Sequence, residues 1–517
     1  MTASHDGQTT GPTAGQATGR TAGQATGRTA GQVNGHHRLG WLDGADRHSP
    51  WPSVTALVTG IGVSGYSAAA GLLGVGARVV VVDDRAGDAE HEKATILSTL
   101  GADVRLGPGS SATLPDDADL VVTSPGWLPG APLLVAAGER GLPILGEVDL
   151  ALRLRDPATA APWLALTGTN GKTTTVGMLA AILRAAGLRA EAVGNIGAPV
   201  VDAVLDPEPY DVLAVELSSF QLHWARPLRP RAAAVLNVAP DHLDWHGSMD
   251  AYAGDKGKIF TGCEIACVYN VADPVTEELV RAADVVEGAR AVGFTAGVPG
   301  VGMLGVVDGV LADRAFVAER QTSAAELCAV SDLPSQAPHN IANALAAAAL
   351  ARAHGVPPAA VRAGLAGFVL EPHRIQRVAE RDGVVYVDDS KATNAHAALA
   401  SLLAYDSVVW VAGGLAKGQD FGDLVHAVKD RLRGVVLLGR DRELIASAIA
   451  RHAPDVPVIE VADSDTEVMD RAVGAAGRLA QPGDTVLLAP GCASFDLFTS
   501  YSARGDAFAA SVRGHRG

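Results

Sequence analysis

The octet TGTNGKTT at 167–174 restricts the folds open to this chain more than any other segment. It follows the apolar run Trp163-Leu164-Ala165-Leu166 and opens a helical stretch from Val176 to Ala186, so the order is strand, glycine-rich turn, helix. That order belongs to a parallel sheet with helices packed on its faces. The turn itself is a phosphate cradle. Gly168 and Gly171, with Thr169 and Asn170 between them, let backbone N–H groups face an anion. Lys172 supplies a point charge for the distal phosphates, and Thr173, followed by Thr174, offers a hydroxyl to Mg²⁺. The general loop G-x-x-x-x-G-K-[ST] would place glycine at 166, where this chain has Leu166, so a variant loop is implied.

The same alternation of strand and helix recurs on both sides. Upstream, VTALVTG (54–60) reads as a buried strand followed by GIGVSG (60–65) and an Ala/Leu-rich helix, and a second strand from Ala77 to Val82 ends at Asp83-Asp84. A G-x-G-x-x-G with an acidic residue about twenty positions on is the dinucleotide fingerprint, yet its geometry serves a uridine nucleotide equally well. Leu120-Val121-Val122 leads to a second turn, Ser124-Pro125-Gly126, at the same sheet edge. Downstream, Val384 to Val387 runs into Asp388-Asp389, Ser407 to Ala412 into Gly413-Gly414, and Thr485 to Ala489 into Pro490-Gly491. The expected architecture is therefore three α/β domains: a Rossmann-like unit over 53–154, a central nucleotide-binding parallel sheet over 155–371, and a second Rossmann-like unit over 372–517.

Residues 1–52 are read as a disordered tail. They are rich in Gly, Thr, Ala and Gln, with TAGQATGR at 13–20 repeated at 21–28, and such a segment cannot bury enough apolar surface to offset its ordering entropy. A formal charge of −16 argues against nucleic acid or an anionic membrane as partner. No apolar run approaches the roughly 18–20 residues that span a bilayer. The four cysteines, Cys263, Cys267, Cys328 and Cys492, form no disulfide or zinc pattern, which suits a reducing cytosol.

Several polar clusters fall where strands end, the place at which ligands gather in parallel sheets. Glu216 closes the strand Val212 to Val215 and can hold a phosphate-bound cation or cap a helix. Asp241, His242, Asp244 and His246 look like a metal site by composition, but two imidazoles alone suit Mg²⁺ poorly, and a solvated loop is the expectation for His246. Lys256 and Lys258 would repel a cation nearby unless they face solvent or one of them, deprotonated by burial, takes up CO₂ as a carbamate. In the last block Lys391 and Thr393 of DDSKATN (388–394), Lys417 after a Gly-Gly turn, and Ser494 in PGCASFDLF (490–498) could line a pocket for a small dicarboxylate.

Taken together, TGTNGKTT, GNIG (194–197), ELSSFQL (216–222), Asp241-His242, HNIANALAAA (339–348), PHR (372–374) and DDSKATN resemble, in order, the Mur ligase family of peptidoglycan synthesis, over 53–510. Within it, DDSKATN most resembles the segment of the members that join D-glutamate to UDP-N-acetylmuramoyl-L-alanine. The resemblance implies an ATP- and Mg²⁺-dependent, monomeric, cytoplasmic ligase with no nucleic-acid or membrane partner. By the same resemblance Val63, Ser64, Asp83, Asp84, Arg85 and Gly126 would hold the uridine nucleotide, and Asn195 and His242 would lie near the muramoyl end. Lys172, Thr173 and Glu216 would serve the phosphates and a first Mg²⁺, and His242 with carbamylated Lys256 a second. Lys256 is preferred to Lys258 because it stands four residues after Tyr252, as in the pattern Y-x-x-x-K-x-[KR]. Asn343 would contact adenine, Arg374 a phosphate and Asp389 the ribose. Lys391, Thr393, Lys417, Ser494 and Tyr501 would receive the amino acid. A sister ligase, or an NAD-dependent dehydrogenase using GIGVSG, are the alternatives.

Overall fold

The structure, a computed structural model, describes residues 39–461 and 467–514; the repeats at 13–28 lie outside them. Three sheets follow one another along the chain. The first contains β1 (Thr55–Thr59), β2 (Arg78–Asp83), β3 (Asp103–Leu106), β4 (Leu120–Thr123) and β5 (Ile144–Gly146), all parallel in the order β3-β2-β1-β4-β5. Its order reverses between β1 and β4, and the crevice there receives the turns at 60–62 and 124–126. These turns are tied together by Ser124 N donating to Thr59 O at 3.1 Å.

The second sheet comprises β6 (Trp163–Thr167), β7 (Ala190–Gly194), β8 (Val212–Glu216), β9 (Ala232–Val235), β10 (Ala266–Asn270), β11 (Arg290–Phe294), β12 (Met303–Val307), β13 (Val310–Asp313) and β14 (Ala325–Ala329). Its order is β14-β13-β12-β11-β10-β9-β6-β8-β7, parallel except for the antiparallel edge β12-β13-β14. Central β6 thus lies between β8 and β9, so the phosphate loop, Glu216 and the 236–242 segment leave the sheet side by side. The third sheet, β15 (Gln376–Arg381), β16 (Val384–Asp388), β17 (Val408–Gly413), β18 (Leu432–Leu438), β19 (Val458–Glu460) and β20 (Thr485–Leu488), is ordered β15-β16-β20-β17-β18-β19, with only β15 antiparallel.

Packing corrects one expectation. The tail does not extend to residue 52: Leu42 and Trp51 are buried in the first core, Trp41 meets Trp51 edge-on at 5.1 Å, and Trp51 Nε1 donates to Asp46 O at 2.8 Å. A few large apolar side chains here offset the ordering cost that Gly, Thr and Gln could not. The junction near 155 is packed as well. Apolar residues of the first domain and of β6, β8 and β9 form one continuous core, in which Val148, Leu150 and Leu154 join Val200 and Val201. The C-terminal domain instead buries its apolar side chains in cores of its own.

Candidate active site

Strand β6 ends at Thr167 with Leu166 still paired in the sheet, level with Glu216 and Ala234, so the loop proper runs from Gly168 to Gly171. The helix begins at Lys172 rather than Val176. Gly171 is left-handed at φ 81°, and a β-carbon there would stand 2.4 Å from Asn343 Oδ1, so both conformation and space demand glycine. Asn237, just past β9, braces the loop: its Oδ1 accepts from Asn170 N at 2.8 Å and its Nδ2 donates to Asn170 O at 3.1 Å. Thr169 Oγ1 accepts from Ala239 N at 2.9 Å and lies 3.0 Å from the Tyr252 hydroxyl. Lys172 to Thr174 form the first turn of the helix and line the cleft, where free N–H groups and the helix dipole favour an anion.

Two amines converge on one carbonyl beneath this loop. Lys172 Nζ donates to Gly168 O at 2.8 Å and to Thr169 O at 2.9 Å; Lys256 Nζ reaches the same Gly168 O at 2.9 Å. Lys256 is 1% exposed and lies 4.6 Å from the centroid of the Tyr252 ring. Burial holds its pKa well below the ordinary lysine value, and the Lys172 charge pushes the same way, against Asp241 and Glu216. Lys172 is shifted down too, by burial opposed by Glu216 and Asp241. The uncharged amine is the form that reacts with CO₂. Lys258 differs: it pairs with Asp255 at 2.7 Å and donates to His223 O at 2.9 Å.

Strand β8 delivers Glu216 to the cleft fully buried. Its Oε1 accepts from Asn195 Nδ2 at 2.8 Å, while Oε2 is buried with no protein partner. A carboxylate oxygen so placed calls for a cation, and Thr173 lines the same cleft. His242, left-handed at φ 53°, packs edge-on against Phe220 at 4.7 Å, its Nε2 3.5 Å from Asp241 Oδ2. Burial lowers its pKa, Asp241 opposes, and Lys417, Lys172 and Lys256 add to the lowering. A neutral imidazole is the ligand form, so Thr173, Glu216 and His242 fit a divalent cation. His246 overturns its expectation as a solvated residue. Its side chain is fully buried, with Nδ1 3.0 Å from Asp255 Oδ2 and Nε2 3.0 Å from Ser219 Oγ, stacked on Phe220. It braces the loop from within.

The C-terminal domain closes the other side. Arg374, Asp389, Lys391 and Thr393 line the same cleft as Thr169, Asn170, Gly171, Asn195 and Asn343, around a volume of about 710 Å³. Asp389 is buried and accepts from Ile375 N at 3.3 Å and from Ser401 Oγ; burial pushes its pKa up to about 6 against these bonds and the Arg374 charge. Lys391 Nζ sits 3.9 Å from the centroid of the Tyr501 ring. Ser494 is buried and Lys417 exposed, both outside the cleft wall. Arg504 ties their neighbourhood together by donating to Ser390 O at 2.9 Å, Ser390 Oγ at 3.0 Å and Cys492 O at 3.0 Å.

The first-domain candidates lie at the carboxyl ends of β1, β2 and β4, away from this cleft. Val63 and Gly126 are exposed there and Ser64 half-buried. Asp83 is turned inward: Oδ2 accepts from Ile61 N at 2.9 Å and from Arg85 at 2.9 Å. Burial raises its pKa, but those bonds outweigh it and the net shift is downward. Asp83 thus holds the glycine turn, and Asp84, bonded to Ser111 Oγ at 2.5 Å, and Arg85 are the groups on the rim. Sequence reading passed over Asn237, Asn394 and His396, although all three stand in or beside segments it singled out. Their signal was a side-chain amide or imidazole beside a strand end.

Three family models match consecutive parts of the chain: the MurD-like N-terminal domain of Mur ligases over 54–146, the Mur ligase middle domain over 166–351, and the Mur ligase glutamate ligase domain over 373–492. The chain belongs to the Mur ligase family. It is 62% identical over 464 residues to the UDP-N-acetylmuramoylalanine--D-glutamate ligase of Streptomyces avermitilis, covering 90% of this chain and 99% of that one. The protein of the same name from Mycolicibacterium smegmatis is 48% identical over 495 residues, 89% of this chain and 97% of its own. Among solved structures, the UDP-N-acetylmuramate-alanine ligase of Thermotoga maritima shares the fold at TM-score 0.53 and 18% identity, over 89% of this chain and 100% of that one.

Proposed function

We propose that this protein is an ATP-dependent ligase that adds D-glutamate to UDP-N-acetylmuramoyl-L-alanine in peptidoglycan precursor synthesis. The observation that carries the reading is one cleft shared by a phosphate loop and the DDSKATN turn of another domain, in a chain 62% identical to ligases of that name. The alanyl carboxylate oxygen attacks the γ-phosphorus, ADP leaves, and an acyl phosphate forms. Lys172 and Arg374 offset the charge on the transferring group. The amine of D-glutamate then attacks the acyl carbon, and the tetrahedral intermediate expels phosphate while the nitrogen gives up its proton.

Thr173, Glu216, His242 and a carbamylated Lys256 would hold Mg²⁺, which when bound screens the phosphate oxygens. Asn343 and Asp389 are assigned to adenine and ribose, and Lys391, Thr393, Lys417, Ser494 and Tyr501 to D-glutamate. Val63, Ser64, Asp84, Arg85 and Gly126 are assigned to the uridine nucleotide, in the crevice where the first sheet reverses its order. The three domains each hold one of the three ligands, and closure of the C-terminal one excludes water that would hydrolyse the acyl phosphate. The proposed ligase works as a monomer in the cytoplasm; separately, among the described residues no helix is long and apolar enough to cross a membrane. The test is ADP release with the uridine substrate and D-glutamate, set against L-glutamate, meso-diaminopimelate and L-lysine. Release with D-glutamate alone is expected; release with none of them removes the reading.

A further inference from the structure

Among the described residues, side chains of the central and C-terminal domains hydrogen-bond at the phosphate loop. Asn394 Nδ2 donates to Asn170 Oδ1 at 3.1 Å, and Asn170 Nδ2 lies 3.4 Å from Asn394 Oδ1 and 3.0 Å from His396 Nδ1. Asn170 is otherwise rigid, because its main chain is held on both sides by the Asn237 amide. Asn394 is rigid as well. It is 7% exposed, and its Oδ1 caps the helix Ala395–Leu402 by accepting from Ala397 N at 2.8 Å.

What makes the pair informative is the turn that Asn394 terminates. Ala392 N donates to Asp389 O at 2.9 Å and Thr393 N to Lys391 O at 2.8 Å, so residues 389–393 are one hydrogen-bonded turn that leads directly into Asn394. That turn carries Lys391 and Thr393 on the cleft wall, and any shift of these side chains' backbone is passed on to Asn394. The two domains have separate apolar cores, so this contact transmits orientation between bodies that no shared core holds in register.

We propose that Asn394 is a positioning residue that, with His396, fixes the phosphate loop in register with the amino-acid pocket, so that occupation of Lys391 and Thr393 is felt at Asn170. The proposal rests on the ligase reading above. A neutral amide pair adds little affinity, but alignment of reacting groups is steeply distance-dependent, so the effect belongs in kcat rather than in KM.

Asn394→Ser keeps an oxygen to cap the helix yet is too short to reach Asn170. Its kcat for ADP release with D-glutamate should fall about tenfold, with KM for ATP within about twofold and an unchanged melting temperature. In an Asn170→Ala background the same change should cost nothing further, because the partner is already gone. Asn394→Ser within twofold of wild type, or losses that multiply in the double variant, would overturn the proposal. Wild-type protein that releases no ADP would instead overturn the ligase reading, so the two failures are distinct.

Discussion

Glu147→Gln is predicted to make the folded protein more stable above neutral pH. Glu147 opens the helix Glu147–Leu154 in the core that joins the first two domains and is 2% exposed. Its Oε1 accepts from Val201 N at 2.7 Å, and Oε2 is buried without a partner. Burial, with the Asp202 charge adding to it and the Val201 N–H opposing, pushes the carboxyl from its ordinary 4.5 up to about 7. At about 1.4 kcal/mol per pH unit, an ionised Glu147 therefore costs the fold about 3 kcal/mol. Because the folded value is the higher one, there is no penalty below pH 4.5; it grows between 4.5 and 7 and stays constant above. Glutamine does not titrate. It keeps the acceptor for Val201 and leaves an unpaired amide where Oε2 stood, a cost that is the same at every pH. The difference between variant and wild type in urea-unfolding free energy should thus move by about 3 kcal/mol in favour of glutamine from pH 4.5 to pH 8. An unchanged difference across that range would refute the reasoning, since no uncoupled packing effect depends on pH.

Lys172→Met should lower ADP release by at least about 10²-fold while leaving the fold intact, because Nζ bonds only two loop carbonyls; activity above a tenth of wild type contradicts its role at the phosphates. Lys256→Ala should be nearly inactive and partly restored by added formate or acetate, which can enter the space left beneath Gly168; full activity without either would defeat the carbamate assignment. Tyr501→Leu should raise KM for D-glutamate about fivefold by removing a ring worth about 1 kcal/mol to Lys391, whereas Tyr501→Phe should match wild type. Equal KM values in both variants would show that the ring does not hold the lysine.

Much of the architecture was legible because strand ends announce themselves: an apolar run closing on Gly, Asp or Ser is the pattern a buried parallel strand must have, and it located Glu216, Asp389 and the phosphate loop. The separation of Lys256 from Lys258 was available only through the resemblance, since two lysines one residue apart carry no burial signal. His246 was misread for a related reason. Composition cannot tell a histidine in a polar loop from one sealed between Ser219, Asp255 and Phe220, because those partners come from other segments. The packed segment 39–52 was hidden by averaging: Gly, Thr and Gln dominate residues 1–52, while Leu42 and Trp51 decide the fate of the last fourteen.

The electrostatics of the cleft resolve an apparent conflict with the overall charge of −16. A strongly acidic chain repels polyanions at long range, so an anionic ligand must be held by a local field. That field requires cations whose charge is not already spent on carboxylates. Lys172 rests on the carbonyls of Gly168 and Thr169, and Lys391 rests on the face of Tyr501. Neutral acceptors of this kind hold an ammonium in place without cancelling it, and an incoming phosphate or carboxylate displaces them without having to break an ion pair. Placement, rather than number, of basic residues is what lets a chain with 41 of them against 57 acids offer an anion a local field, so the net charge does not count against the proposed triphosphate.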